Sequence, residues 1–513
     1  MLKTPANPGV GVASNYLSDV LRSGSAGRED AVFAYLPDGA TVTYAAFFAG
    51  AERVAATLVT FGVKPGDRVA AQVPKSIEAL QLYIGTVMAG AVFLPLNTGY
   101  KETEVGHFIA DAEPSIFVSD PGAFDAISEI TQAPVLTLGP NGEGTLMEAR
   151  RAQLVGFSPT ARSGDDLAAI LYTSGTTGKP KGAMLSHRNL ASNSETLARL
   201  WRFTEDDVLI HALPIFHTHG LFVATNITLI AGGALIFQPA FDAAAVLEAL
   251  QYATALMGVP TFYTRLLQMD GLAEAVHKMR LFVSGSAPLL AETHDAWHAV
   301  TGYKILERYG MTETNMNTSN PYDGERRAGT VGLPLPDVAL RLTDGRGAKV
   351  TKGQPGIVEV RGPNVFQGYW NLPEKTAEEL LPDGFFVTGD IGQLDADGYL
   401  RIIGRAKDMV ITGGYNVYPK EIELLIDALP DVIESAVIGV PHPDFGEAVL
   451  AVVVANTEMT DADILAEISP KLARYKQPKR VVFVDDLPRN AMGKVQKSLL
   501  RETYNALFEN NAR

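Results

Sequence analysis

The residues best suited to chemistry lie between Thr173 and Gly182, where the chain reads Thr-Ser-Gly-Thr-Thr-Gly-Lys-Pro-Lys-Gly. Gly175, Gly178 and Gly182 let the backbone turn so that its N–H groups can approach an anion closely. The hydroxyls of Thr173, Ser174, Thr176 and Thr177 add donors, and Lys179 and Lys181 bring the charge that a polyphosphate needs neutralised. The spacing is not that of the common phosphate loop, which requires Gly-Lys-Ser/Thr where Pro180 follows Gly175. Apolar runs on both sides, Leu167–Tyr172 and Ala183–Leu185, predict a loop joining two strands. A helix is expected only from His187 to Leu200, capped by Ser186. A flexible surface linker would account poorly for two lysines and a proline between two buried runs.

Four further stretches place a carboxylate or a cation beside glycines. They are Tyr309-Gly310-Met311-Thr312-Glu313, Thr388-Gly389-Asp390, Gly404-Arg405-Ala406-Lys407-Asp408 and Pro488-Arg489-Asn490-Ala491-Met492-Gly493-Lys494. Each is weak alone, since a lone Glu or Lys is usually a solvated charge. In this order, with the decapeptide, they resemble the signatures of the adenylate-forming superfamily. That superfamily includes acyl-CoA synthetases, luciferases and the adenylation domains of peptide synthetases, and the resemblance covers essentially the whole chain.

The resemblance implies a residue-by-residue site for ATP. Tyr309 would stack on the adenine, Thr312 would touch the α-phosphate, and Glu313 with Thr176 would hold Mg2+. Ser286, Ala287, Glu307 and Gly310 would complete the nucleotide site. Asp390 would accept from the ribose hydroxyls, Arg405 would contact ribose or phosphate, and Lys407 would be the hinge. Lys494 would enter from a C-terminal domain, and its task is electrostatic. A carboxylate and a phosphate held 4 Å apart repel by about 1 kcal/mol in water and about 4 kcal/mol at an intermediate dielectric. An ammonium bridging both removes that penalty and stabilises charge developing at phosphorus.

The acid is addressed by two more segments. Pro214-Ile215-Phe216-His217-Thr218-His219-Gly220 resembles the family's acyl-pocket motif, with His217 near the reacting carboxylate. A metal site built from His211, His217 and His219 lacks the Cys or Glu pattern that would support it. Gly258–Arg265 and Val283–Pro288, with the Leu306–Pro321 run, resemble the malonate-activating CoA synthetases within the superfamily. That likeness implies that Arg265 pairs with the distal carboxylate of malonate, helped by Ser284 or Ser286, with Met311 at the substrate. A bidentate arginine suits a diacid, whereas a guanidinium beside an alkyl chain would be costly. Methylmalonate differs by one methyl, worth about 1–3 kcal/mol in a pocket. The implied reaction joins malonate to CoA through malonyl-AMP, with Gly413, Gly414 and Tyr415 meeting the pantetheine of CoA. Acetylation of Lys494 by a lysine acetyltransferase, reversed by a deacetylase, would act as an off-switch. A ligase for another short or aromatic acid keeps every motif. A non-catalytic adenylate sensor would need neither Lys494 nor Glu313.

The elements that must position these residues alternate. Strands are expected at Val69–Val73, Ala91–Leu94 and Ser115–Val118, with a helix capped by Ser76 running through Ala89. Further strands follow at Val208–Ala212, Ala234–Phe237, Ala255–Val259 and Arg280–Ser284. Residues 141–166 read as surface loop, and Val331–Ile403 as a small barrel-like β region. A C-terminal α+β unit carries helices at Pro419–Leu429 and Asp461–Tyr475 and strands at Val432–Val440, Ala448–Val454 and Arg480–Val484. The fold class is thus α/β: a large N-terminal domain over 1–403 with two helix-covered, mostly parallel sheets and the small β-barrel. A hinge at 404–407 and a mobile lid domain over 408–513 complete it.

Composition narrows the classes. At 513 residues and 46% hydrophobic content the chain exceeds one core, and its net charge of −15 disfavours nucleic acid and anionic membranes. With no cysteine, thiolate catalysis is excluded, and a thioester must take its sulfur from a partner. The N-terminus has no signal-peptide pattern, and Asn510-Asn511-Ala512-Arg513 is neither a peroxisomal nor a lipidation tail, so a cytoplasmic protein is expected.

Overall fold

The computed structural model describes residues 14–173, 180–489 and 495–508. The chain divides into two compact units, one of Met1–Ala339 with Val360–Phe386, the other of Leu340–Glu359 with Val387–Arg513.

The first unit is built on two large sheets. The six-stranded one runs, edge to edge, Val135–Thr137, Ile116–Ser119, Arg68–Gln72, Val92–Pro95, Leu167–Thr173 and Lys181–Ser186. Its strands are parallel up to Leu167–Thr173, and the last pair is an antiparallel hairpin. The predicted helix–stop–strand sequence forms as read. Ser76 accepts from the Ala79 N–H to start the helix Ile77–Met88, Gly90 turns the chain at φ +74°, and Val92–Pro95 follows. Every residue of that helix but Glu78 is buried, which explains its continuous apolar character.

The nine-stranded sheet runs Leu333–Pro334, Asn315–Ser319, Leu306–Met311, Leu281–Ser284, Ala255–Gly258, Val208–His211, Ala234–Phe237, Val32–Tyr35 and Thr41–Thr43. It is parallel through the middle and antiparallel at both edges. The four strands expected between 208 and 284 are all present in it.

The second unit holds most of a four-stranded sheet in the order Ala339–Thr343, Gly356–Arg361, Phe386–Leu394 and Leu400–Arg405. It also holds a C-terminal sheet of Tyr415–Val417, Val410–Thr412, Gly446–Ala455 and Val432–His442, with Arg480–Phe483 parallel to Gly446–Ala455. One face of that sheet packs Val437, Val449, Ala451 and Val453 against Ile422, Ile426, Ile464 and Ile468 of two helices.

Two local expectations are corrected. Residues 141–166 are not all loop, because Thr145–Arg151 is a helix that buries Leu146 and Met147. The helix begun at Asp461 stops at Ile468 and not at Tyr475. Pro470 lacks the N–H needed to continue the α-helical ladder, so short 3-10 turns, Ser469–Lys471 and Arg474–Lys476, replace it. Among the described residues no helix is long and apolar enough to cross a membrane.

Candidate active site

The phosphate-loop decapeptide is the connection of the antiparallel hairpin expected of it. Thr173 and Lys181 face one another in register, and the Thr173 hydroxyl donates to the Lys181 carbonyl at 3.4 Å. Ser174, Gly175, Thr176, Thr177, Gly178 and Lys179 lie outside the described residues, as does Lys494. Ser186 then caps the helix His187–Leu200 in a reciprocal box with Asn189. Gly182 has a packing role, since a Cβ there would lie 2.9 Å from Ile170 and 3.3 Å from Trp370. The segment carrying Tyr369 is stitched to this strand: Trp370 N–H donates to the Gly182 carbonyl at 2.7 Å, and Met184 N–H to that of Gly368 at 2.9 Å.

Lys181 is nearly buried beneath that segment, its Nζ 4.2 Å from the Tyr369 ring centre and 3.6 Å from Glu379. The Tyr369 hydroxyl lies 3.0 Å from Oε1 of Glu313 and 2.7 Å from Oε2 of Glu379. Glu313 closes the hairpin between Leu306–Met311 and Asn315–Ser319. Gly310 is required there, because a Cβ would sit 1.8 Å from the Asn315 carbonyl oxygen. Tyr309, Met311 and Thr312 stand half-buried on the same hairpin.

A second cluster surrounds the end of Leu281–Ser284. Ser286 adopts φ +71° and places its hydroxyl 3.4 Å from Nδ1 of His219, and Ala287 beside it is exposed. His217 is half-buried, and His219 opens a π-helical segment, His219–Thr225, of a kind often found at functional sites. His211 is structural: its Nε2 lies 2.9 Å from the Gly220 carbonyl, so Nδ1 is left to accept from Lys75 at 3.0 Å. Burial, then the nearby Arg308, His217 and His211, hold His219 neutral with a pKa well below the usual histidine range.

The arginine expected to face the acid, Arg265, lies on the exposed side of the helix Pro260–Leu266. A different cation, missed in the sequence reading, is buried. Arg308 is 3% exposed, and neither its Nε nor its Nη2 has a hydrogen-bond partner among the described residues. The guanidinium lies against Gly285, where a Cβ would be 2.3 Å from its carbon. Ser284 Oγ, Thr218 Oγ1 and His219 Nε2 are also buried and have no hydrogen-bond partner among the described residues. Such groups cost about 1–3 kcal/mol each when left unmade, and more for a charge, so this cluster is set for an anionic ligand. Burial brings the Arg308 pKa down to about 10, leaving it charged at neutral pH, and pushes that of Glu307 up to about 8. Alternation could not have marked it, because Leu306, Glu307 and Arg308 are buried in succession.

In the second unit, Asp390 and Arg405 are register partners on antiparallel strands and form a 2.6 Å ion pair. The Thr388 hydroxyl donates to the Val358 carbonyl and accepts from the Asp390 N–H, fixing the carboxylate's strand. Lys407 follows in a 3-10 turn with its side chain exposed, and partial desolvation, ahead of the neighbouring charges, lowers its pKa. Gly413 and Gly414, at φ +56° and +82°, make the turn before Tyr415, whose exposed ring stacks on Tyr475 at 4.7 Å.

Family models match the sequence that carries the hairpins and the buried carboxylate, and the sequence beyond residue 420. Residues 22–370 match the AMP-binding enzyme model, and 421–494 the C-terminal domain of AMP-binding enzymes. The chain belongs to the AMP-binding enzyme family. It is similar to the ATP-bound structure of MatB from Rhodopseudomonas palustris, at 57% identity and TM-score 0.94, covering 96% of this chain and 99% of that one. It is also 35% identical to a malonate–CoA ligase of Arabidopsis thaliana, over 86% of this chain and 79% of that protein. A feruloyl-CoA synthase of Amycolatopsis is 36% identical, over 91% of this chain and 94% of that protein.

Proposed function

We propose that this chain is an AMP-forming malonate–CoA ligase, converting malonate, ATP and CoA into malonyl-CoA, AMP and pyrophosphate. The likeness to ATP-bound MatB along nearly the whole chain, with that to the Arabidopsis malonate–CoA ligase, supports the ligase and its nucleotide. The observation that carries the choice of a diacid is Arg308, a buried guanidinium with two open donor positions among unpartnered hydroxyls. A carboxylate entering there gains a charge-assisted pair, and a monoacid leaves the cation unpaired. Arg265 is the exposed second candidate for the same carboxylate.

In the first step a carboxylate oxygen of malonate attacks the α-phosphorus of ATP and the bond to the bridging β-oxygen breaks, releasing pyrophosphate. Lys494 holds the two anions together, His217 orients the carboxylate, and Tyr309, Thr312, Asp390 and Arg405 position the nucleotide. Glu313 and Thr176 are the residues for Mg2+, and one buried carboxylate suits a hard cation whose other ligands come with the phosphates. Bound there, the ion would neutralise charge on the phosphate oxygens. In the second step the C-terminal domain turns about Lys407, withdrawing Lys494 and bringing Gly413, Gly414 and Tyr415 to the pantetheine. The thiol of CoA attacks the malonyl carbonyl and AMP leaves. Acetylation of Lys494 would block the first step by removing its charge.

A substrate panel read by AMP release tests this, using malonate, methylmalonate, succinate, acetate, benzoate and ferulate. Malonate should give the highest kcat/KM, and a preference for acetate or ferulate would reject the diacid assignment.

A further inference from the structure

The Tyr369 hydroxyl stands between two carboxylates, 3.0 Å from Glu313 and 2.7 Å from Glu379, yet a phenol has one proton to donate. It serves one carboxylate at a time. Glu379 in turn holds Lys181 at 3.6 Å, and that lysine is the second of the two in the phosphate-loop decapeptide. Glu379 also has a second cation, Lys375, at 2.9 Å. Losing Lys181 would therefore not strand a half-buried carboxylate.

We propose that Tyr369 and Glu379 are positioning residues that couple the metal-site carboxylate to the phosphate-loop lysine. With the phenol proton shared, Glu379 keeps enough charge to hold Lys181 in a parked ion pair. When a divalent cation takes Glu313, that carboxylate competes less for the phenol. The phenol then donates its hydrogen bond to Glu379 alone, which weakens that carboxylate's hold and frees Lys181 for the triphosphate. Cation binding and phosphate binding thus favour one another through two hydrogen bonds and an ion pair. This inference rests on the ATP-dependent reading above.

The test is calorimetric titration of the full chain with ATP, in Mg2+ and in EDTA, with melting temperatures as a check on folding. Wild type should bind ATP more tightly in Mg2+. Tyr369→Phe should lose at least about fivefold of that enhancement while its affinity in EDTA stays within about twofold. Glu379→Gln still accepts from Tyr369 but carries no charge, so it should bind ATP in EDTA at least about threefold more tightly. A generic structural role would not produce that gain. Lys375→Ala, a surface change, should weaken binding in EDTA by about twofold or more, because Glu379 then has only Lys181. Full retention of the Mg2+ enhancement in Tyr369→Phe would overturn the proposal, as would unchanged or weaker binding by Glu379→Gln. Failure of the wild type to bind ATP in either medium would reject the nucleotide reading itself.

Discussion

Two arginines compete for one carboxylate, and their surroundings differ. Arg308 is buried against Gly285 with open donors, whereas Arg265 is exposed on a short helix. Arg308→Met keeps the volume and removes the charge. It should lower kcat/KM for malonate by about 100-fold or more, equivalent to about 3 kcal/mol, and that for acetate by less than about tenfold. Arg265→Ala should show the same selectivity if it also reaches the substrate, and equal losses on both acids would remove it from the site. The groups expected to touch nucleotide were all named from sequence motifs, because they cluster in short runs. They did not single out Arg308, because what marks it, a buried guanidinium with Nε and Nη2 unpartnered among the described residues, is a property of packing rather than of order along the chain.

Hairpins and helix starts were the most legible elements. Ser76 and Ser186 cap where their spacing placed them. Pro470 carried an equally clear signal, but the apolar period ran on through it and the helix was drawn too long. At this scale Gly310→Ala is a sharp probe, since a Cβ would collide with the Asn315 carbonyl oxygen at 1.8 Å. The hairpin carrying Glu313 should distort, lowering both the melting temperature and ATP affinity, and a crystal structure with an intact hairpin would refute this. The helix after the phosphate hairpin adds an acid sensitivity. His187 is buried, its Nδ1 accepts from the Leu17 N–H at 3.2 Å, and burial brings its pKa down to about 4. The unfolded chain takes up that proton near pH 6.5 and the native one only near 4. Stability from this group is therefore complete above 6.5 and lost as pH falls toward 4. His187→Asn should lose about 2 kcal/mol less than wild type between pH 7.5 and 5 in denaturant titrations.

For the molecule as a whole, the proposed division of labour between the two half-reactions is testable. Lys494→Ala should abolish malonate-dependent pyrophosphate exchange yet retain thioester formation from supplied malonyl-AMP. Lys407→Pro should reverse the pattern, slowing mainly the second half-reaction, and equal damage to both would argue against a turning domain. The sheets were readable from alternation of strands and helices, but the path of the chain was not. It passes from one unit to the other three times, after Ala339, Glu359 and Phe386. No single cut can therefore yield both pieces whole. A fragment starting at Val387 would lack Val358, whose carbonyl accepts from Thr388 two residues before Asp390. Exchanging acid-recognising portions between relatives by one crossover after Phe386 would thus pair a foreign strand with Thr388. Soluble hybrids should come from grafts that transfer Leu340–Glu359 together with everything beyond Phe386.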